Sequence, residues 1–89
     1  MPQFNLKNGE TEKIDIGNSV GVSANNVSSK KAIFYIDYYA DGNWHPITGA
    51  ITLRPGETRA WTRQDLGHEN IRIGAEGLDD GTVIIQGQY

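Results

Sequence analysis

The chain has 89 residues, of which 37% are hydrophobic and 21% are charged, with a formal net charge of −3 and no cysteine. This length favours one domain, so we expect a single domain over residues 1–89. The missing cysteines exclude disulfides, thiolate nucleophiles and cysteine-bound metal ions, and the acidic balance argues against non-specific nucleic-acid binding.

Short strands separated by turns are predicted along the first third of the chain. Apolar residues there recur at every second position, which is the period of a strand with one buried face. Asn8-Gly9, Gly17-Asn18 and Asn25-Asn26 interrupt this alternation and favour turns. The alternating apolar residues are Phe4, Leu6, Ile14, Ile16, Val20, Val22 and Ala24.

Residues 31–40 give the strongest strand prediction, because β-branched and aromatic residues dominate the segment. Asp41-Gly42 follows directly and is a preferred pair for a tight hairpin. The return strand carries Trp44 and Ile47, and Pro46 predicts that this strand is an edge or bulged strand.

The second half of the chain continues the pattern. Residues 51–53 begin a short strand, and Arg-Pro-Gly-Glu at 54–57 predicts a turn in which glycine takes a positive φ. The remaining predicted elements are a strand at 58–63, a loop at 64–70, a strand at 71–75, a turn at 79–81 and a strand at 83–88.

Seven to nine short strands without helical periodicity predict an all-β fold. Their spacing of about 8–12 residues favours a small antiparallel β-sandwich, immunoglobulin-like or jelly-roll-like, with a small barrel as the alternative. A core this small offsets the conformational entropy of folding only in part, so an oligomer is a further expectation. The expected core residues are Phe4, Leu6, Ile14, Ile16, Val20, Val22, Phe34, Ile36, Ile51, Leu53, Ile71, Ile73, Val83 and Ile85.

The segment Leu-Arg-Pro-Gly-Glu-Thr at 53–58 resembles a turn that recurs in immunoglobulin-like sandwiches of bacterial and phage surface proteins. The resemblance covers six residues and reflects general turn chemistry. It identifies no particular family, and no functional residue is transferred from it.

The predicted strand at 58–63 carries a candidate ligand site. A period of two places Arg59, Trp61 and Arg63 on one face, where a tryptophan between two arginines can stack a planar ring and neutralise an anion. The alternatives are a core tryptophan flanked by arginines whose charged ends reach solvent, and a subunit interface.

The long strand at 31–40 carries a candidate contact surface. If Phe34 and Ile36 face the core, then Tyr35 and Tyr39 lie on the outer face on either side of a carboxylate. With Trp44 across the hairpin, these rings form an aromatic platform suited to a sugar ring or a protein partner. The alternative is that a neighbouring subunit covers this face.

Metal, catalytic and glycan sites have weaker support. His45 and His68 stand in no recognised nucleophile or metal motif, and we expect exposed turn histidines. Turn chemistry explains the carboxylates near 41–43 and 76–80 without calcium, and we expect no metal and no cofactor. The pattern Asn-Val-Ser at 26–28 matches a glycosylation site, but no secretion signal accompanies it.

A non-enzymatic interaction or structural module is therefore the expected function, docking on a larger assembly or associating with itself. Its contact surface is expected around Tyr35, Tyr39 and Trp44 or at an edge strand such as 83–88, as in phage or bacterial-surface accessory domains. The alternative is a small-ligand binder for a carbohydrate or an anionic ring such as a nucleotide, through Trp61 with Arg59 and Arg63. An enzyme is the third hypothesis and is not favoured, because no acid and base stand at a recognisable spacing.

The compartment is not determined by these features. No apolar run approaches the roughly 20 residues of a membrane span. The first seven residues lack the basic start and apolar centre of a signal peptide. We therefore expect a soluble protein, cytoplasmic or part of an assembled particle, without membrane contact.

Overall fold

Two antiparallel sheets pack face to face in the computed structural model, which describes residues 2–77 and 84–89. The expected β-sandwich is confirmed, and the described residues form nine strands and one short helix. The predicted turn at 79–81 lies outside them. The elements are β1 (Gln3–Lys7), β2 (Thr11–Asp15), β3 (Gly21–Asn26), β4 (Ala32–Ala40), β5 (Asn43–Pro46), β6 (Ile51–Leu53), β7 (Thr58–Thr62), α1 (Arg63–Leu66), β8 (Asn70–Gly77) and β9 (Ile84–Gln88).

The order of the strands is that of a jelly roll. One sheet has the order β1-β9-β3-β7, and the other has the order β2-β8-β4-β5 with β6 also paired to β4. Strand β1 pairs with β9, β2 with β8, β3 with β7, and β4 with β5 and β6, so the two halves of the chain pair in reverse order. This is the pairing of one long hairpin rolled into two sheets. An immunoglobulin sandwich instead places its first two strands side by side in one sheet.

The strands at the sheet edges differ in part from expectation. Strand β5 is at an edge, as Pro46 predicted. Strand β9 is not an edge strand, so the predicted edge at 83–88 is wrong for the residues that the structure describes. The N-terminal strand β1 pairs with one side of β9, and β3 pairs with the other.

The core between the sheets contains most of the expected residues. Val20 was wrongly predicted to be buried: its exposed fraction is 79%, because β3 begins only at Gly21 and the alternation does not extend back to Val20. Ile51 is half-buried against the core, and Val83 lies outside the described residues. The confirmed core residues are Phe4, Leu6, Ile14, Ile16, Val22, Phe34, Ile36, Leu53, Ile71, Ile73 and Ile85.

A one-turn helix replaces part of the predicted loop at 64–70. The hydroxyl of Thr62 accepts a hydrogen bond from the Asp65 N–H at 3.0 Å, and the Asp65 carboxylate accepts one from the Thr62 N–H at 3.0 Å. This capping box ends β7 at Thr62 and starts the helix, while Leu66 is buried beneath it. None of the described residues belongs to a helix long and apolar enough to cross a membrane.

Asn26 links the two sheets through a fully buried side chain. Its Nδ2 donates hydrogen bonds to the Leu53 carbonyl of the opposite sheet at 2.9 Å and to the Lys30 carbonyl at 2.8 Å. Its Oδ1 accepts hydrogen bonds from the N–H and the hydroxyl of Ser28 at 3.0 Å and 2.5 Å. The side chain that the glycosylation pattern marks is therefore enclosed and fully hydrogen-bonded.

The turn at 54–57 is confirmed and is attached to Asn26. Gly56 has a φ of 80°, and the Glu57 N–H donates to the Arg54 carbonyl at 2.9 Å. The Asn26 carbonyl accepts from the Gly56 N–H, and the Asn26 N–H donates to the Glu57 carbonyl. The Arg54 N–H also donates to the Glu57 carboxylate at 2.9 Å, and this bond is the main cause that lowers the pKa of Glu57 below its ordinary value of 4.5.

Removal of the Asn26 side chain is expected to destabilise the fold. Asn26→Ala removes the side-chain partner of the Leu53 carbonyl and of the Ser28 N–H and lowers the free energy of unfolding by about 2–3 kcal/mol. The matched control is Asn25→Ala, because the Asn25 Oδ1 atom is buried without a hydrogen-bond partner among the described residues. We expect this control to change stability by less than about 0.5 kcal/mol in urea denaturation. Equal losses in the two variants would contradict the role of Asn26.

Acid is expected to weaken the turn through Glu57. Because the folded pKa lies below the ordinary 4.5, the carboxylate stabilises the fold above that pH, and the contribution is lost as pH falls through the folded value. Glu57→Gln should therefore lose less unfolding free energy than the natural chain as the pH is lowered from neutral through 4.5 and below. The control is Glu12→Gln at an exposed position of β2, and identical slopes in all three proteins would refute the expectation.

Candidate functional site

The outer face of the five-stranded sheet carries the predicted aromatic platform. Phe34 and Ile36 are fully buried, so the alternate residues of β4 point away from the core, as predicted. Asp41 and Gly42 take φ values of 54° and 80°, which closes the tight turn of the β4–β5 hairpin. We call the surface formed by Lys13, Tyr35, Asp37, Tyr39, Trp44 and Arg72 the aromatic face.

The hairpin places Trp44 directly opposite Tyr39. Their ring centroids are 5.2 Å apart at an interplanar angle of 69°, an edge-to-face arrangement. Tyr39 keeps 53% of its surface exposed, which makes it the most exposed aromatic residue of this face. Two of the predicted platform residues are thus in contact.

Arg72, which the sequence did not indicate as a site residue, joins the cluster of Tyr39 and Trp44. Arg72 of β8 lies opposite Asp37 of β4, and its Nη2 and Nε donate to the Asp37 Oδ2 atom at 2.7 Å and 3.2 Å. Its guanidinium carbon lies 4.8 Å from the centroid of the Trp44 ring, and the Lys13 Nζ atom lies 5.9 Å from the same ring. Both distances fall within the range of a cation–π contact.

Tyr35 lies on the same face but is more enclosed. Its ring covers Gly74 of β8, where an added Cβ atom would lie 2.1 Å from the ring. Burial raises the pKa of Tyr35 above its ordinary value of 10.0, and the positive charge of Arg72 partly offsets this rise. Tyr35 is therefore half-buried over Gly74 and offers less contact area than Tyr39, whereas the ring contact of the platform joins Tyr39 and Trp44.

A shallow depression of about 540 Å³ adjoins the exposed rings. Tyr39 and Trp44 form its aromatic side, and the polar groups around it come from the neighbouring strands β2 and β8. These polar residues are Lys13, Asp15 and Asn70. The depression thus combines apolar ring surface with groups of both charges.

The structure does not bring the predicted arginine–tryptophan–arginine stripe together as a ligand site. The Trp61 ring is half-buried and stacks on Phe34 with centroids 5.6 Å apart, so it belongs to the core. Arg59 pairs with Glu57 at 3.4 Å, and Arg63 begins α1 and donates a hydrogen bond to the Gly17 carbonyl. The alternation fails at Arg63 because the strand ends one residue earlier.

The two histidines share one partner, the ring of Tyr38. The His68 ring stacks on Tyr38 with centroids 3.7 Å apart and an interplanar angle of 3°, and the His45 ring lies 5.2 Å from it. His68 is exposed as expected, whereas His45 is half-buried with its Nε2 atom 3.0 Å from the Ala40 carbonyl. Within residues 2–77 and 84–89, no group of three or more histidine and acidic side chains is placed to hold a metal ion.

Comparisons of the chain with protein-family models, with curated proteins and with solved structures returned no match.

The pair of Arg72 and Asp37 is expected to stabilise the aromatic face more than an exposed ion pair does. The Asp37 side chain is only 12% exposed, so Arg72→Ala leaves a poorly solvated carboxylate. In a double-mutant cycle of Arg72→Ala and Asp37→Ala, we expect a coupling free energy of about 1–2 kcal/mol. The matched cycle of Arg59→Ala and Glu57→Ala, an exposed pair, should give a clearly smaller coupling. Equal couplings in the two cycles would contradict this difference.

Proposed function

We propose that this chain is a non-enzymatic interaction module that docks on a protein of a larger assembly through the aromatic face. The observation that carries the proposal is the contact of an exposed tyrosine, a tryptophan and an arginine on one outer sheet face. Tryptophan, tyrosine and arginine are the residue types that most often dominate the binding energy of protein interfaces.

The cluster is preorganised, which favours binding. Asp37 fixes the guanidinium of Arg72, and this guanidinium together with the Tyr39 ring holds Trp44 in position. Strands carry all of these residues, so little side-chain and loop entropy is lost when a partner arrives. The side chains of Lys13 and Asp15 supply charges of both signs beside the rings, as in the polar rim of an interface.

The small-ligand alternative through Trp61 has less support. Such a site needs the ring of Trp61 and the two arginines to converge, but the ring stacks on Phe34 and each arginine is bonded elsewhere. An accessory role in a phage particle or on a bacterial surface remains part of our proposal on the basis of size and cysteine-free composition alone.

Photo-crosslinking tests this proposal directly. A benzophenone amino acid replaces Tyr39 in one variant and, as the matched control, Arg54 in another, which is exposed in the turn at 54–57 and belongs to neither sheet face. In the cells that produce the protein, we expect a discrete adduct with another protein from position 39 and not from position 54, and mass spectrometry then identifies the partner. Substitution of Trp44→Ala in the crosslinking variant should abolish the adduct. Adducts of equal yield at the two positions, or no adduct at position 39, would refute the proposal.

A further inference from the structure

The outer face of the four-stranded sheet lacks charged side chains at its centre. Strand pairing aligns outward residues in two rows that cross β1, β9, β3 and β7, and the next outward pair, Lys7 with Ile84, lies at the end of the sheet beside Val27. One row is Gln3, Gln88, Ser23 and Ala60, and the other is Asn5, Gln86, Asn25 and Thr58. We call these eight residues the neutral face. None of them is charged, although charged residues make up 21% of the chain.

Exposed valines lie at both ends of the central strand β3. Val20 precedes the strand with 79% of its surface exposed, and Val27 follows it with 44% exposed. The Val27 N–H donates to the Ile84 carbonyl at 3.0 Å, so the pairing with β9 continues to this residue and alternation places its side chain outward. The neutral face is thus two rows of mainly amide and hydroxyl side chains, with an exposed valine at each end of β3 and Lys7 at the end of β1.

The surface between these valines contains two adjoining depressions. One, of about 400 Å³, is lined mainly by amide side chains of the neutral face. The other, of about 270 Å³, lies beside Val20 and above Gly21, which has no side chain. Ser23 and Gln88 line both depressions. An incoming side chain therefore finds space along β3 from Gly21 to Asn25.

We propose that the neutral face binds a second copy of this chain in a two-fold symmetric pair. Side-chain amides donate and accept hydrogen bonds, so two identical amide surfaces are complementary to each other. A two-fold axis in the plane of the contact and perpendicular to β3 makes the two β3 strands antiparallel. Val20 of one copy then lies against Val27 of the other, and both exposed apolar ends become covered.

The lack of charge on the neutral face favours a second copy of this chain over other partners. Each copy has a net charge of −3, and contact through the neutral face avoids both the repulsion of like charges and the desolvation of ionised groups. Four strands about 4.8 Å apart and the length from Val20 to Val27 give an area of roughly 400–500 Å² per copy. This area is smaller than the roughly 800 Å² per partner of a stable complex, so the pair should be transient and concentration-dependent.

Sedimentation velocity with charge variants tests the pairing. For the natural chain, we expect the average mass to rise from 9.8 kDa towards twice that value as concentration increases. Two double variants, Gln86→Lys with Gln88→Lys and Gln86→Glu with Gln88→Glu, should each remain at the monomer mass, because like charges meet across the axis. An equal mixture of the two should recover the dimer. The control places two lysines or two glutamates at Thr11 and Thr52, which are exposed on the other sheet, and should leave dimerisation unchanged.

Cysteine crosslinking tests the antiparallel arrangement without interference, because the chain has no cysteine of its own. Under mild oxidation, a mixture of the Val20→Cys and Val27→Cys variants should form a disulfide-linked dimer in several-fold higher yield than either variant alone. Equal crosslinking in the separate variants would overturn the antiparallel arrangement. A mass of 9.8 kDa at every concentration, or a charge mixture that fails to recover the dimer, would overturn the pairing itself.

Discussion

The buried amide of Asn26 fixes how the two sheets lie against each other. Apolar packing between sheets is not directional, so the core residues alone permit neighbouring registers of similar energy. The hydrogen bond from Asn26 in β3 to the Leu53 carbonyl in β6 selects one of them, because a shifted sheet would leave buried polar groups unsatisfied. The backbone of the same residue holds the turn at 54–57, from which β7 starts. One short side chain thus constrains both sheets.

The aromatic face depends on the register in which β4 pairs with β8. The register places Asp37 opposite Arg72 and Tyr35 opposite Gly74, so an ion pair and a ring over a glycine occupy adjacent positions. A register shift by one residue would turn these side chains towards the core and bring apolar residues to the surface. The cation beside Trp44 is therefore a consequence of strand pairing between residues that are distant in the sequence.

The faces of the strands could be predicted from the sequence, but the neighbours of each strand could not. A period of two in β4 correctly separated Phe34 from Tyr35, because alternation is a local property of extended backbone. Arg72 went unrecognised because its partner Asp37 lies 35 residues earlier, and only the pairing of β4 with β8 brings them together. Strand β9 was expected at an edge because it is the last predicted strand. Its pairing with β1, which makes it internal, is also a long-range contact that the local sequence does not indicate.

Local sequence signals also compete with each other at the ends of strands, where alternation alone gives the wrong prediction. Val20 continues the alternation of Val22, but the strand starts after it and the residue remains exposed. Arg63 continues the alternation of Arg59 and Trp61, but the capping box formed by Thr62 and Asp65 starts a helix there. The sequence contained this second signal, a threonine followed three residues later by an acid, and hydrogen bonds at a helix start outweighed strand periodicity.

The jelly roll places the two surfaces on opposite sides of a thin molecule, whose shortest dimension is 17 Å. The aromatic face carries charges that are paired or near rings, and such groups orient a partner of different composition. The neutral face carries side-chain amides, which can donate hydrogen bonds to and accept them from the same amides of a second copy. A pair joined through the neutral faces would direct its two aromatic faces outward in opposite directions. If both proposals hold, such a pair would bind one partner molecule on each side and would therefore cross-link an assembly.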